Sequence, residues 1–176
     1  ARGGPQGGSG GQIETSGHYL NTAGIGIDAH APMGANGLWF IDPYDIAIVA
    51  ADTDLNVLGV GVNQPDGTYA EFALIAPSYG NGPAFVAGST STLYADQLEA
   101  ALDNGLDVSI STGSSYENAI TFYADINSNN SYNRPGPNSD DAGIPFRASL
   151  TLTAGKIDFW NHKVTSTTHK LDLILN

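Results

Sequence analysis

The strongest constraint on the fold lies near the end of the chain. "LTLTAGKIDFWNHKVTSTTHK" runs from Leu150 to Lys170, and "LDLILN" then restarts the "LTLTA" pattern. The step from Leu150 to Leu171 is 21 residues and holds three short strand-like segments separated by turns. A unit of that size cannot bury its apolar side alone, and stacking one unit on the next is the usual remedy. The spacing favours a β-solenoid, with a β-sandwich of short strands as the alternative.

The rest of the chain has the same texture. "QIETSG", "IGIDAHA", "GLWFIDPYDIAIVA", "LDVSIST" and "AITFYADI" are short, alternate apolar and polar residues, and are bounded by Gly, Asn, Asp or Ser. One helical pattern interrupts them. In "TLYADQLEAALDNG", Leu93, Leu98, Ala101 and Leu102 share a face and Asn104-Gly105 makes a stop, which predicts a helix over 94–103. Residues 1–11 read as a Gly-rich flexible arm or a turn-rich lead into the first strand. The single domain is expected to span 12–176, with insertions at about 51–92 and 126–147. The first is expected to form a subdomain or hairpins, the second a long exposed loop.

Composition narrows the functions open to such a chain. Only six Lys and Arg stand against eighteen Asp and Glu, a net charge of −12. Phosphate backbones and anionic membranes are held by basic side chains, so neither is an expected partner. Charged residues are 14% of the chain, below the ~25% usual for soluble domains. With no Cys there is no disulfide, thiol nucleophile or thiolate metal site. No apolar run reaches the ~18 residues of a membrane span, so a soluble protein is expected.

Few residues carry a chemical signature. Asp125, Asn127 and Asn129 alternate as the first ligands of a calcium loop do, and Asp140 and Asp141 can close such a site. Asn130 stands where an EF-hand needs Gly and Gly136 where it needs Glu, so only an irregular calcium loop is left. Asp52 and Asp54 form a second acidic turn. His18, His30, His162 and His169 show no metal-binding helical spacing, although His18 and His30 can approach each other near Asp28. No "GxSxG" elbow or phosphate loop is present. Carboxylate pairs such as Asp42/Asp45 and Asp52/Asp54 keep glycoside cleavage open as an alternative, but no enzyme is expected. Loop aromatics, among them Tyr79, Tyr94, Tyr116, Tyr123 and Tyr132, suit sugar binding.

"GGSGGQIETSGHYLN" followed by "IDAHAPMGANGLWFIDPYDIAI" resembles a segment of the filamentous-haemagglutinin-type adhesins, exoproteins of Gram-negative bacteria secreted by the two-partner route. Gly7-Gly8, Gly10-Gly11, Glu14, Thr15, Ser16, Gly17, Trp39, Ile41, Asp42, Pro43 and Asp45 match the family pattern, and Phe40 stands where Leu is usual. "AALDNGLDVSISTG" and the closing repeats continue the likeness. The resemblance implies a right-handed parallel β-helix with one short helix, a secreted or cell-surface location, an outer-membrane secretion partner and no catalysis. It leaves a host or cell-surface ligand such as a glycan, or end-to-end self-association through strand edges, as the expected partnership. A polysaccharide-active β-helix enzyme and a calcium-stabilised structural module are the alternatives. In physical terms, "IDPYD" is expected to be a corner, with Trp39 and Phe40 filling the core of a coil or capping its end, Asp42 capping freed backbone groups and Pro43 ending the strand.

Overall fold

The computed structural model describes residues 1–50, 62–63, 69–70, 90–113, 115, 118–129, 147–167 and 170–176. These residues are mostly strand with a single short helix, an all-β architecture whose main sheets are parallel. The strands are β1 (Gln12–Gly17), β2 (Leu38–Pro43), β3 (Ile46–Val49), β4 (Val62–Asn63), β5 (Tyr69–Ala70) and β6 (Ser91–Tyr94). Helix α1 (Ala95–Asp103) follows. Then come β7 (Asp107–Ser111), β8 (Ala119–Phe122), β9 (Ile126–Ser128), β10 (Arg147–Thr153), β11 (Lys156–Asp158), β12 (Val164–Ser166) and β13 (Lys170–Leu175).

From β7 onward consecutive strands go to different sheets. β7, β8 and β9 lie in three sheets, and β10, β11 and β12 repeat the sequence, each parallel to its counterpart. The largest sheet runs β1-β2-β7-β10-β13 and the second β11-β8-β3-β6. Register aligns the inward side chains into columns. Ile13, Trp39, Val108, Leu150 and Leu173 form one, and Thr15, Ile41, Ile110, Leu152 and Leu175 the next. Along β7 and β10 the apolar residues face in and their polar neighbours out, as the pleat requires, whereas Phe40 of β2, unlike Trp39, lies on the outward row. The columns merge into one core with Ile48, Leu93, Ile120, Phe122 and Ile126. Phe122 stacks on Phe159 of the next strand triplet at 4.5 Å.

The spacing of the repeat differs from the one read in the sequence. Leu150 pairs with Leu173, 23 residues on, while Leu171 pairs with Ala148. A slip of two residues keeps every side chain on its own face, so alternation alone does not separate 21 from 23.

The helix matches its sequence signal closely. It starts directly from β6 without a side-chain cap. It ends where Gly105 takes φ 74°, with Gly105 N–H donating to the Leu102 carbonyl and Leu106 N–H to Ala101. This is the Schellman arrangement that Asn-Gly favours.

The stretch 51–92 is only partly separate from the sheets. Val62–Asn63 and Tyr69–Ala70 form an antiparallel pair, the hairpin expected there. Its last residues return to the second sheet. β6 pairs with the free edge of β3, and on its other side Thr92 N–H donates to Leu20 O while Thr22 N–H donates to Thr92 O. The returning chain is thus threaded as an extra strand between 20–22 and β3. The second inserted stretch also begins later than expected, because Ile126–Ser128 is a strand whose Ile126 and Ser128 are buried.

Residues 1–11 are pinned rather than a free arm. Gly3 N–H donates to His30 O and Gly10 N–H to Ala35 O. A Cβ on Gly10 would sit 2.0 Å from Ala29 O, and one on Gly37 would meet the same oxygen at 2.0 Å. Three backbone segments touch there without room for a side chain, which accounts for glycine at both positions.

Candidate functional site: a corner staple and an aromatic, acidic cleft

The corner at "IDPYD" sits between two sheets. β2 belongs to the first sheet and β3 to the second, and Tyr44-Asp45 makes the bend. Trp39 is fully buried, and its Nε1–H donates to Thr15 Oγ1 at 3.1 Å, joining the two halves of the motif. Glu14, Ser16 and Asp42 point outward and are exposed, whereas Pro43 is buried beside Gly17. The carboxylate that takes up freed backbone is Asp45's, not Asp42's. Asp45 Oδ1 accepts the Ala119 N–H at 2.7 Å, at the start of β8, and Asp45 O accepts the Ser91 N–H, at the start of β6. One residue therefore ties three strands of the second sheet together at their first residues.

Other carboxylates repeat this role. Asp107 Oδ1 accepts both Ser149 N–H and Oγ–H, Asp125 Oδ1 accepts Lys163 N–H, and Glu99 Oε1 accepts Asn127 N–H. Asp45, Asp107 and Asp125 thus each bond to the backbone of the next strand triplet.

The calcium candidates Asp125, Asn127 and Asn129 are part of such a ladder. Asn127 Oδ1 accepts Thr165 Oγ–H and Asn129 Oδ1 accepts Thr167 Oγ–H, while Asp125 meets His162 Nδ1 at 3.1 Å. Alternate residues of a strand lie roughly 6.6 Å apart, whereas calcium gathers its oxygens to roughly 2.3–2.6 Å. Among the described residues no group of three or more His, Asp or Glu is placed to hold a metal. Asp140, Asp141, Asp52, Asp54, Tyr79, Tyr116, Tyr132 and His169 lie outside the described residues. His18 stacks on Tyr44 at 5.0 Å, while His30 bonds to Asp28 and Arg2, so the two histidines have separate partners.

One cleft collects chemistry that no single sequence segment announced. It has a volume of 660 Å³ and runs beside α1, along the corners that follow β3, β8 and β11. Asp96 and Glu99 come from the first turns of the helix, Tyr123 and Asp125 from the β8–β9 corner, and Trp160 and His162 from the β11–β12 turn. Trp160 is 39% exposed and holds φ 46°. It is the one non-glycine residue with positive φ among the described residues, in a turn closed by His162 N–H donating to Phe159 O. Such a backbone is unfavourable for a bulky residue.

The titrating groups of the cleft are pushed apart. Burial raises the Glu99 carboxyl above its ordinary value, and Asp103 and Asp96 add to this against the opposing bond from Asn127 N–H. The hydrogen bond from His162 lowers Asp125, helped by Lys163. Burial also raises the Tyr123 phenol. Of these residues only Tyr123 figured among the sugar-binding candidates read from the sequence. A Trp placed between turn residues in "FWNH" was the signal for the rest.

Comparison with protein-family models, curated proteins and solved structures gives no match for this chain. Among the described residues no helix is long and apolar enough to cross a membrane.

Proposed function

We propose that the chain is a β-solenoid segment of a secreted or cell-surface exoprotein of the filamentous-haemagglutinin kind, acting by binding and by shape rather than by turnover. The supporting observation is the recurring order of parallel strands: β7-β8-β9 and β10-β11-β12 visit the same three sheets in turn, and each strand pairs in register with its counterpart. A right-handed winding is part of the proposal, as is export through an outer-membrane partner. A chain without Cys suits a protein that crosses an envelope unfolded.

Self-association belongs to the same reading. β13 lies at the end of its sheet, and Leu173 and Leu175 are 43% and 52% exposed although their columns are buried at every earlier apolar position from β2 to β10. An open strand edge over an apolar column accepts a further strand, from a continuation of the same polypeptide or from a second copy. Light scattering across a concentration series, with negative-stain imaging, tests this. End-to-end oligomers that Leu173→Lys abolishes support the proposal; a strict monomer at every concentration that also binds neither cells nor glycans contradicts it.

A second reading has one observation in its favour. Glu99 and Asp125 line one cleft and are shifted in opposite directions, the sense in which a glycosidase acid and its partner are set apart. Release of new reducing ends from a polysaccharide, lost in Glu99→Gln, would support that reading over the non-catalytic one.

A further inference from the structure

We propose that the cleft between α1, the β8–β9 corner and the β11–β12 turn is a binding subsite for an uncharged saccharide, with Trp160 as the stacking face. Three independent features converge on it. First, Trp160 is offered to the cleft from a backbone conformation that a large side chain normally avoids. Gly would relieve that turn at no steric cost, so the contacts of the indole, the cleft lining among them, offset the strain. Second, the remaining lining is the hydroxyl-recognising kind. Asn161 brings an amide, Tyr123 a phenol, and Asp96, Glu99 and Asp125 bring carboxylates. Sugar rings present an apolar C–H face to an aromatic ring and a rim of hydroxyls to such groups.

Third, the charge of the cleft selects among glycans. Three carboxylates line it and the one basic side chain is His162, already bonded to Asp125. Uronic acids, sialic acids and sulfated sugars would be repelled. A lysine or arginine side chain is the competing ligand for an acidic, aromatic site. Two of the three carboxylates are already engaged by backbone donors: Glu99 accepts an N–H from Asn127, and Asp125 accepts one from Lys163. Such carboxylates keep lone pairs for hydroxyl donors.

The cleft also has the right direction. Ala50 and Ala95, then Ala124, then Trp160 lie at corners of successive strands of the second sheet. Across the three strand-to-strand steps from β6 to β11 this is a length of roughly 14 Å. The small Ala side chains leave a floor on which a short oligosaccharide lies along the stacking direction.

The inference deepens the binding half of the proposed function and rests on it in one respect, that the ligand is held and not cleaved. Tryptophan fluorescence supplies the test, because Trp39 is wholly buried and Trp160 is not. Cellohexaose, maltohexaose, chitohexaose and a β-galactan hexamer would be titrated to millimolar concentration, beside trigalacturonate, a heparin hexasaccharide and a lysine-rich peptide. The expected result is a saturable blue shift with at least one uncharged oligomer and none with the anionic ones. Measured by isothermal titration calorimetry, which needs no indole reporter, Trp160→Gly should weaken that binding at least tenfold while leaving the melting temperature unchanged or raised, and Trp160→Phe should restore part of it. Saturation by no uncharged oligomer, equal binding of trigalacturonate, undiminished binding by Trp160→Gly, or occupation by the peptide alone would each overturn the assignment. Chromatography of the bound oligomer separates the two claims: intact sugar supports both, and shortened sugar keeps the subsite while overturning the non-catalytic reading.

Discussion

Replacing Asp45 by Ala should destabilise the protein far more than replacing Asp42, although both belong to one "IDPYD" motif. Asp45 Oδ1 is 2.7 Å from the Ala119 amide nitrogen in a half-buried corner, so the substitution removes a charged acceptor and strands a donor at the first residue of β8. Hydrogen bonds to charged groups contribute about 1.5–3 kcal/mol net. In a chain of this length each kcal/mol moves the melting temperature by about 2–4 °C, so a fall of about 3–12 °C is expected. Asp45→Asn keeps an oxygen acceptor and should cost roughly half as much, since neutral bonds are about half as strong. Asp42→Ala, at an exposed outward position, should stay within about 0.5 kcal/mol of the parent. Urea unfolding followed by far-UV circular dichroism measures all three, and the slope should not change. If Asp45→Ala lies within about 0.5 kcal/mol of the parent, or Asp42→Ala costs as much, the staple is not what holds the corner.

Trp39→Ala should cost about 3–5 kcal/mol in the same urea experiment, because the indole fills the centre of a buried column. Gly37→Ala should be strongly destabilising in thermal melts even though Ala is the milder residue elsewhere, since its Cβ would meet Ala29 O at 2.0 Å. Glu99→Gln should raise the melting temperature at neutral pH. The carboxyl of Glu99 is raised in the folded state, so its ionisation opposes folding as pH climbs above 4.5, and the gain should vanish below that pH. Asp125 has the opposite sign. Its carboxyl is lowered, so it stabilises above pH 3.8 and loses that contribution as pH falls below, and Asp125→Asn should flatten that limb of a melting-temperature profile.

Much of the sheet arrangement was legible because alternation is a strong signal where one face is buried. "LDVSIS" and "SLTLT" place Val108, Ile110, Leu150 and Leu152 inward, and they are buried. The helix was legible for the same kind of reason, with Leu98, Ala101 and Leu102 on one face and Asn-Gly at its end. β9 was not, because Ser128 faces the core and "INSNN" then has only one apolar residue to show. Ser128 is tolerated there because its hydroxyl donates to Asp103 at 2.7 Å. The capping role falls to Asp45 rather than the expected Asp42 for a related reason: sequence shows two carboxylates flanking Pro-Tyr but not which one the bend turns toward the next strand. The cleft was the least legible, since its residues come from a helix and two separate turns and meet only when strands stack. The calcium spacing in 125–129 was a true alternation whose oxygens serve Thr165, Thr167 and His162.

The most direct test of the layered architecture uses the absence of native cysteine. Glu14 and Ile174 occupy the two ends of one outward row, Glu14-Phe40-Ser109-Thr151-Ile174, on adjacent parallel strands. Spin labels on Glu14→Cys and Ile174→Cys, read by pulsed dipolar spectroscopy, should give one narrow distance near the spacing of four strand-to-strand steps, about 19 Å. A much longer distance, or a broad distribution in a folded sample, would contradict the stacking on which the proposed function depends.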